Sequence, residues 1–232
     1  MFASVFSAAI SGMEVHLIKV EADVSDGLPS FTMVGLPSTQ VKEAQDRVRT
    51  ALKNNGIALP PKRITVNLAP ADIRKEGAGF DLPLAAAVLA AAGVLSAEQL
   101  GNVMMAGEIG LNGEIHAVSG ILPMIIRARE EKCRFCVVPY DNLKEAHLIP
   151  DMKVIGVADL QEMIRYVSAP DSYKKAVETG KKSPQENSVD FCEIHGQESL
   201  KRAVEIAVSG FHNLLMIGPP GAGKTMIARR IP

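Results

Sequence analysis

Eight consecutive residues near the end of this 232-residue chain carry its strongest chemical signal: Gly218, Pro219, Pro220, Gly221, Ala222, Gly223, Lys224 and Thr225. They fit the pattern G-x-x-x-x-G-K-[ST], a phosphate-cradling loop. The glycines let the backbone turn tightly, so that its N–H groups face phosphate oxygens. Lys224 is then placed to reach the β- and γ-phosphates of a nucleotide such as ATP, and the Thr225 hydroxyl to hold Mg²⁺. The flanks agree with this reading. The apolar run 213–217 predicts a buried parallel strand before the loop. Residues 225–230 predict the start of a helix, whose N-terminal dipole favours the phosphates.

Such a loop does not make a motor alone. A complete ATPase domain needs further strands and helices, an acidic residue for Mg²⁺ and usually an arginine finger. Only seven residues follow Thr225. The expectation is therefore a longer protein whose ATPase domain begins here, with this piece unable to turn over ATP by itself.

Composition sets the remaining bounds. An apolar fraction of 47% is that of an ordinary globular protein. A net charge of −1 gives no whole-molecule electrostatic case for nucleic acid. Locally the balance differs. Between Lys42 and Lys75 eight basic residues face three acids, Glu43, Asp46 and Asp72. Lys42, Arg47, Arg49, Lys53, Lys62 and Arg63 from this stretch are the candidate DNA contacts; a solvated helix face fits the same charges. Three cysteines, Cys133, Cys136 and Cys192, without a secretory signal, fit a reducing cytoplasm. Cys133 and Cys136 form a single C-x-x-C beside an apolar run, which predicts buried thiols rather than a zinc or redox site. The alanine-rich run 82–95 is too short to span a bilayer and predicts a buried helix.

Taken in order, the pattern predicts strands at 2–10 and 13–24 joined at Ser11-Gly12. A short strand follows at 31–34, between two copies of Gly-Leu-Pro-Ser (27–30 and 35–38). Ser38 should cap a helix over 39–54, and 63–68 should be a strand. Asp81 should cap the alanine-rich helix. Asn112-Gly113 should turn a hairpin between the runs 104–109 and 114–118. Helices at 121–131 and 160–167 alternate with strands at 135–138 and 153–157. Residues 169–188, rich in lysine and poor in apolar residues, predict a linker between a first domain, 1–168, and a second, 189–232. The second opens with a helix at 198–208.

These motifs together resemble the ComM/YifB family of Mg-chelatase-like AAA+ proteins. The resemblance is carried by 27–38, by Asn67-Leu68-Ala69-Pro70-Ala71-Asp72, by 75–84, by Gly107-Glu108 and by 218–225, and it covers essentially the whole chain. It implies an α/β (α+β) chain whose first domain has the fold of the Lon proteolytic domain and of ribosomal protein S5 domain 2, followed by an incomplete P-loop AAA+ domain. It further implies an ATP-driven DNA-processing motor that promotes branch migration, assembled as a hexamer, in the cytoplasm and away from membranes. The alternative is a Lon-like module for protein interaction or assembly within a chelatase-like or chaperone-like ATPase.

The Lon comparison tests one activity directly. Lon-type proteases use a Ser–Lys dyad. In this chain Gly79 occupies the serine position and Leu122 the lysine position. Neither can serve as nucleophile or base, so the expectation is a protease fold without protease chemistry. Ser119 lies nearby and is expected to act as a cap.

Overall fold

The computed structural model describes residues 1–173, 191–219 and 221–231. The chain divides into two units, Met1–Glu178 and Thr179–Pro232. Most of the predicted linker, together with Pro220 and Pro232, lies outside the described residues. Of the linker, residues 169–173 are described and include a short 3-10 turn, Pro170–Ser172.

The first unit is built on strands whose side chains alternate. Phe2–Ser11 (β1) and Glu14–Ser25 (β2) form an antiparallel hairpin in which Ile10 faces Val15 and Phe2 faces Asp23. Gly12 turns it with φ of +60°. Ala3, Val5 and Ala9 of β1, with Ile18, Val20, Ala22 and Val24 of β2, enter one core, as period-two spacing requires. Arg63–Ala69 (β4) runs antiparallel to β2, placing Leu68 opposite Val20. Ser30–Val34 (β3) pairs in parallel with β4 and forms one edge. On the other side, Val103–Met105 (β5), Phe135–Pro139 (β8) and Val154–Val157 (β9) extend the sheet in parallel. The order is β3-β4-β2-β1-β5-β8-β9, a mixed α/β sheet in which four of six pairings are parallel.

Helices cover both faces. Thr39–Asn54 (α1), Asp81–Ala91 (α2), Ala97–Leu100 (α3) and Leu160–Ser168 (α6) contribute to the larger core. Ile121–Glu130 (α4) and Leu143–Ala146 (α5) form a second core with Ala8, Met104, Cys136 and Val138. Every residue of α2 is buried. A helix apolar all round has to lie inside, and its alanines permit close approach. Ser38 caps α1 as its spacing predicts, accepting from the Val41 N–H at 3.4 Å.

Two local expectations change. The run 104–109 divides: its first part is β5 of the main sheet. Glu108–Ile109 (β6) pairs instead with Ile115–His116 (β7), a hairpin of two-residue strands whose loop, 110–114, contains Asn112-Gly113. Asp81 does not cap α2. Phe80 holds the cap position, and the Asp81 carboxylate turns inward.

In the second unit, Glu198–Ser209 (α7) buries Val204 and Ala207, the face that its spacing predicts. Val204 packs with Ile194 and with Ile227 of Lys224–Ala228 (α8). The strand expected at 213–217 is absent, and Leu215 and Ile217 are 81% and 88% exposed. No described residue of this unit forms a strand, so the run has no ladder to satisfy its backbone and no sheet to bury its side chains.

Candidate functional site

The described part of the predicted phosphate loop turns through two glycines even without that strand. Gly221 and Gly223 have φ of +80° and +81°, the left-handed region where glycine is favoured. A Cβ at either would meet nothing within 4 Å, so conformation rather than space demands glycine there. The chain enters α8 at Lys224, directly after Gly223. The Lys224 ammonium donates to the carbonyls of Gly218 at 2.7 Å and Pro219 at 2.8 Å, folding over its own loop. Thr225 is exposed at the start of the helix. The donor set of backbone N–H groups, one ammonium and one hydroxyl suits a triphosphate with its Mg²⁺. Close by, Arg230 pairs with Glu193 and ties the segment before α7 to the end of α8.

The candidate DNA contacts behave differently from one another. Arg47 leaves the outward set. Its Nε donates to Asp81 Oδ2 at 2.8 Å and its Nη2 to Oδ1 at 2.9 Å, a two-pronged pair. The Ile109 N–H also donates to Oδ2, at 3.2 Å. Burial pushes the Asp81 carboxyl up from its ordinary value, and Arg47 and the Ile109 N–H oppose that shift. Lys75, counted in the basic excess, is fully buried with its ammonium donating to the Pro70 carbonyl; burial pushes its pKa down. Lys62 pairs with Asp26 at 2.9 Å. Lys42, Arg49, Lys53 and Arg63 are exposed and have no ion-pair partner among the described residues. Arg49, Lys53 and Lys62 converge on one cleft of about 410 Å³, floored by Phe31, Ile57, Leu59 and Ile64. Lys42 and Arg63 do not line it.

At the two positions matched to the Lon-type dyad, glycine and leucine offer no nucleophile and no base. Gly79 sits in a 3-10 turn, Ala78–Phe80, on the wall of a cleft of about 310 Å³ with Glu76, Glu108 and Ser119. Leu122, half-buried on α4, does not line that cleft. Ser119 is not a cap either: Gly120, at φ of +83°, holds the cap position of α4 and no side chain bonds there. Cys133 and Cys136 are buried thiols, as expected, and burial pushes both up. Among the described residues no helix is long and apolar enough to cross a membrane.

Comparison with known proteins decides the family. The model for subunit ChlI of Mg-chelatase matches residues 20–142, and that for the magnesium chelatase subunit ChlI matches 190–232. The chain belongs to the Mg-chelatase-like ChlI family, in its ComM/YifB group. It is 42% identical to competence protein ComM of Haemophilus influenzae over 99% of its own length and 46% of that protein's. It is also 42% identical to the uncharacterized protein YifB of Escherichia coli, over 98% of its own length and 44% of that protein's. The chain thus spans about half the length of the curated relatives it matches. A weaker similarity, 27% over 128 residues (54% of this chain and 22% of that protein), reaches Lon protease 2 of Bacillus subtilis and fits a Lon-like N-terminal domain.

The sequence missed the Arg47–Asp81 pair and the cleft beside β3. Asp81 carried a signal, since an acid opening a wholly apolar helix needs a partner. Nothing local pointed to Arg47.

Proposed function

We propose that this chain is the N-terminal part of an ATP-driven DNA-processing motor of the ComM type, one that moves DNA branches. In this reading 1–168 is a Lon-like domain without a protease dyad, 169–188 a linker, and 189–232 the beginning of an AAA+ ATPase domain. The protein works in the cytoplasm as a hexamer around or upon DNA. The observation that carries the reading is the loop 218–225: two left-handed glycines lead straight into a helix that opens with Lys224 and Thr225. ATP would be held by the loop's backbone N–H groups and the Lys224 ammonium, and Mg²⁺ by the Thr225 hydroxyl. When bound, the metal would neutralise charge that develops on the phosphates. The similarity to competence protein ComM of Haemophilus influenzae supports the ComM-type assignment. The exposed cations Lys42, Arg49, Lys53 and Arg63 supply candidate phosphate contacts, and Lys62 could join them by exchanging Asp26 for a phosphate.

The test uses the intact gene product. ATP hydrolysis should rise on adding branched DNA, and branch movement should require ATP. Lys224→Ala should abolish both while leaving DNA binding in place. DNA affinity should fall steeply with salt, because phosphate contacts release counterions. ATP hydrolysis indifferent to DNA, with a salt-independent DNA affinity, would remove DNA from this proposal.

A further inference from the structure

The function proposed above uses neither the edge strand β3 nor the repeated Gly-Leu-Pro-Ser that brackets it. Natural edge strands are blunted by charged residues, prolines or bulges. β3 reads Ser30-Phe31-Thr32-Met33-Val34, with no charge and no proline, and among the described residues it pairs only with β4. Its outer edge is thus open for a further strand. Large apolar side chains stand exposed on the strand and just beyond its ends: Val34 at 45%, with Leu28 at 88% before it and Leu36 at 55% after it. Leu36, in the second repeat, is held at φ of +57°, a left-handed conformation unusual for a leucine. The Lys75 N–H donates to the Leu36 carbonyl at 3.4 Å and Pro37 bridges to Lys75, so the fold itself holds that conformation.

The cleft of about 410 Å³ lies at the start of this strand, between Phe31, the C-terminal half of α1 and the segment before β4. Its floor is apolar. Its rim carries Arg49 and Lys53, one helical turn apart and without ion-pair partners among the described residues. No carboxylate lines it.

We propose that β3 and this cleft dock an extended acidic segment of a partner protein. The segment adds as a strand to the open edge of β3, seats a bulky apolar side chain against Phe31, Ile57 and Leu59, and places a carboxylate on Arg49 and Lys53. Strand addition supplies affinity through main-chain hydrogen bonds, and alternate side chains supply specificity. A peptide matches all three features: open backbone, apolar floor and cationic rim. A phosphodiester chain would match the rim, but it cannot complete a strand ladder, and the cleft offers it one half-buried aromatic ring for stacking. This inference does not rest on the DNA reading, although both draw on Arg49 and Lys53.

The test is a selection of short random peptides on the 232-residue chain, with Arg49→Glu/Lys53→Glu and Leu28→Asp as comparisons. All three substitutions are at exposed positions, and circular dichroism checks that each variant is folded. Enriched peptides should combine Asp or Glu with a bulky apolar residue. Their affinity should fall about tenfold or more in the double variant and measurably in Leu28→Asp. Amides of Ser30–Val34 should gain protection from hydrogen exchange on binding. Failure to enrich peptides, enrichment without acidic residues, equal binding by the double variant or unchanged exchange in β3 would each overturn the proposal. A single-stranded oligonucleotide serves as competitor. If it occupies the cleft while no peptide is enriched, the cleft belongs to nucleic acid instead. Oligonucleotide binding in the absence of peptide reports on the DNA reading separately.

Discussion

Arg47 and Asp81 are 34 positions apart and meet as a two-pronged pair that links α1 to the first turn of α2. Asp81 is fully buried, and its second tie, from the Ile109 N–H, reaches the β6–β7 hairpin. One carboxylate therefore holds three elements together. Removing its partner leaves a buried acid without its counter-charge, which costs far more than the pair gains over an apolar substitute. Arg47→Ala should destabilise the chain by roughly 3–5 kcal/mol in denaturant titration. Arg47→Met/Asp81→Leu should recover much of that loss. A cost near zero for Arg47→Ala would mean that Asp81 finds another partner. The thiols give a second residue-scale prediction. The thiolate is the nucleophile, and burial pushes Cys133 and Cys136 up, while Cys192 is exposed. Iodoacetamide at neutral pH should modify Cys192 in the native protein and reach the other two only after unfolding, as mass spectrometry would show.

At the scale of elements, the pairing of β2 with β4 sets residues on both faces of the sheet. The inward face places Val20 opposite Leu68. The outward face places Glu21 opposite Asn67, whose amide donates to Glu21 at 2.9 Å; Lys19 lies 3.0 Å from the same carboxylate. The Asn67 hydrogen bond and the Lys19 charge hold the Glu21 carboxyl below its ordinary value of 4.5. A depressed carboxylate stabilises the fold above its unfolded-state pKa, and the contribution is lost as pH falls through the folded value. The stability gap between the wild type and Asn67→Ala should therefore be full at neutral pH and shrink below about 4.5. A gap constant with pH would detach Asn67 from the Glu21 charge. Legibility in the sequence also varied by element. β1, β2, β4, α1, α4 and α6 were readable because alternation or helical spacing ran for several residues, with Ser11-Gly12 and Ser38 marking ends. The run 104–109 was not. Its apolar residues serve two sheets, and periodicity cannot show where a chain leaves one ladder for another.

For the whole molecule, the loop proposed to hold nucleotide could be named from sequence because its pattern is local: glycines, lysine and threonine fall within eight residues. The cationic surface was legible only as a count. Folding withdrew Arg47 to Asp81 and buried Lys75, and it gathered Arg49, Lys53 and Lys62 around one cleft. Such sorting depends on contacts distant in sequence. The strand before the loop failed for a related reason, since an apolar run becomes a strand only where neighbours supply a ladder. The chemistry proposed for the protein is carried by residues 218–225 of the second unit. The most direct test is equilibrium titration of the intact gene product with a fluorescent ATP analogue, with and without Mg²⁺, beside Lys224→Ala. Saturable, Mg²⁺-dependent binding that weakens about tenfold or more in the variant is the predicted result, the scale of losing a charge-assisted contact. Equal binding by Lys224→Ala, or no binding by the wild type, would contradict the assignment of residues 218–225 as the nucleotide site.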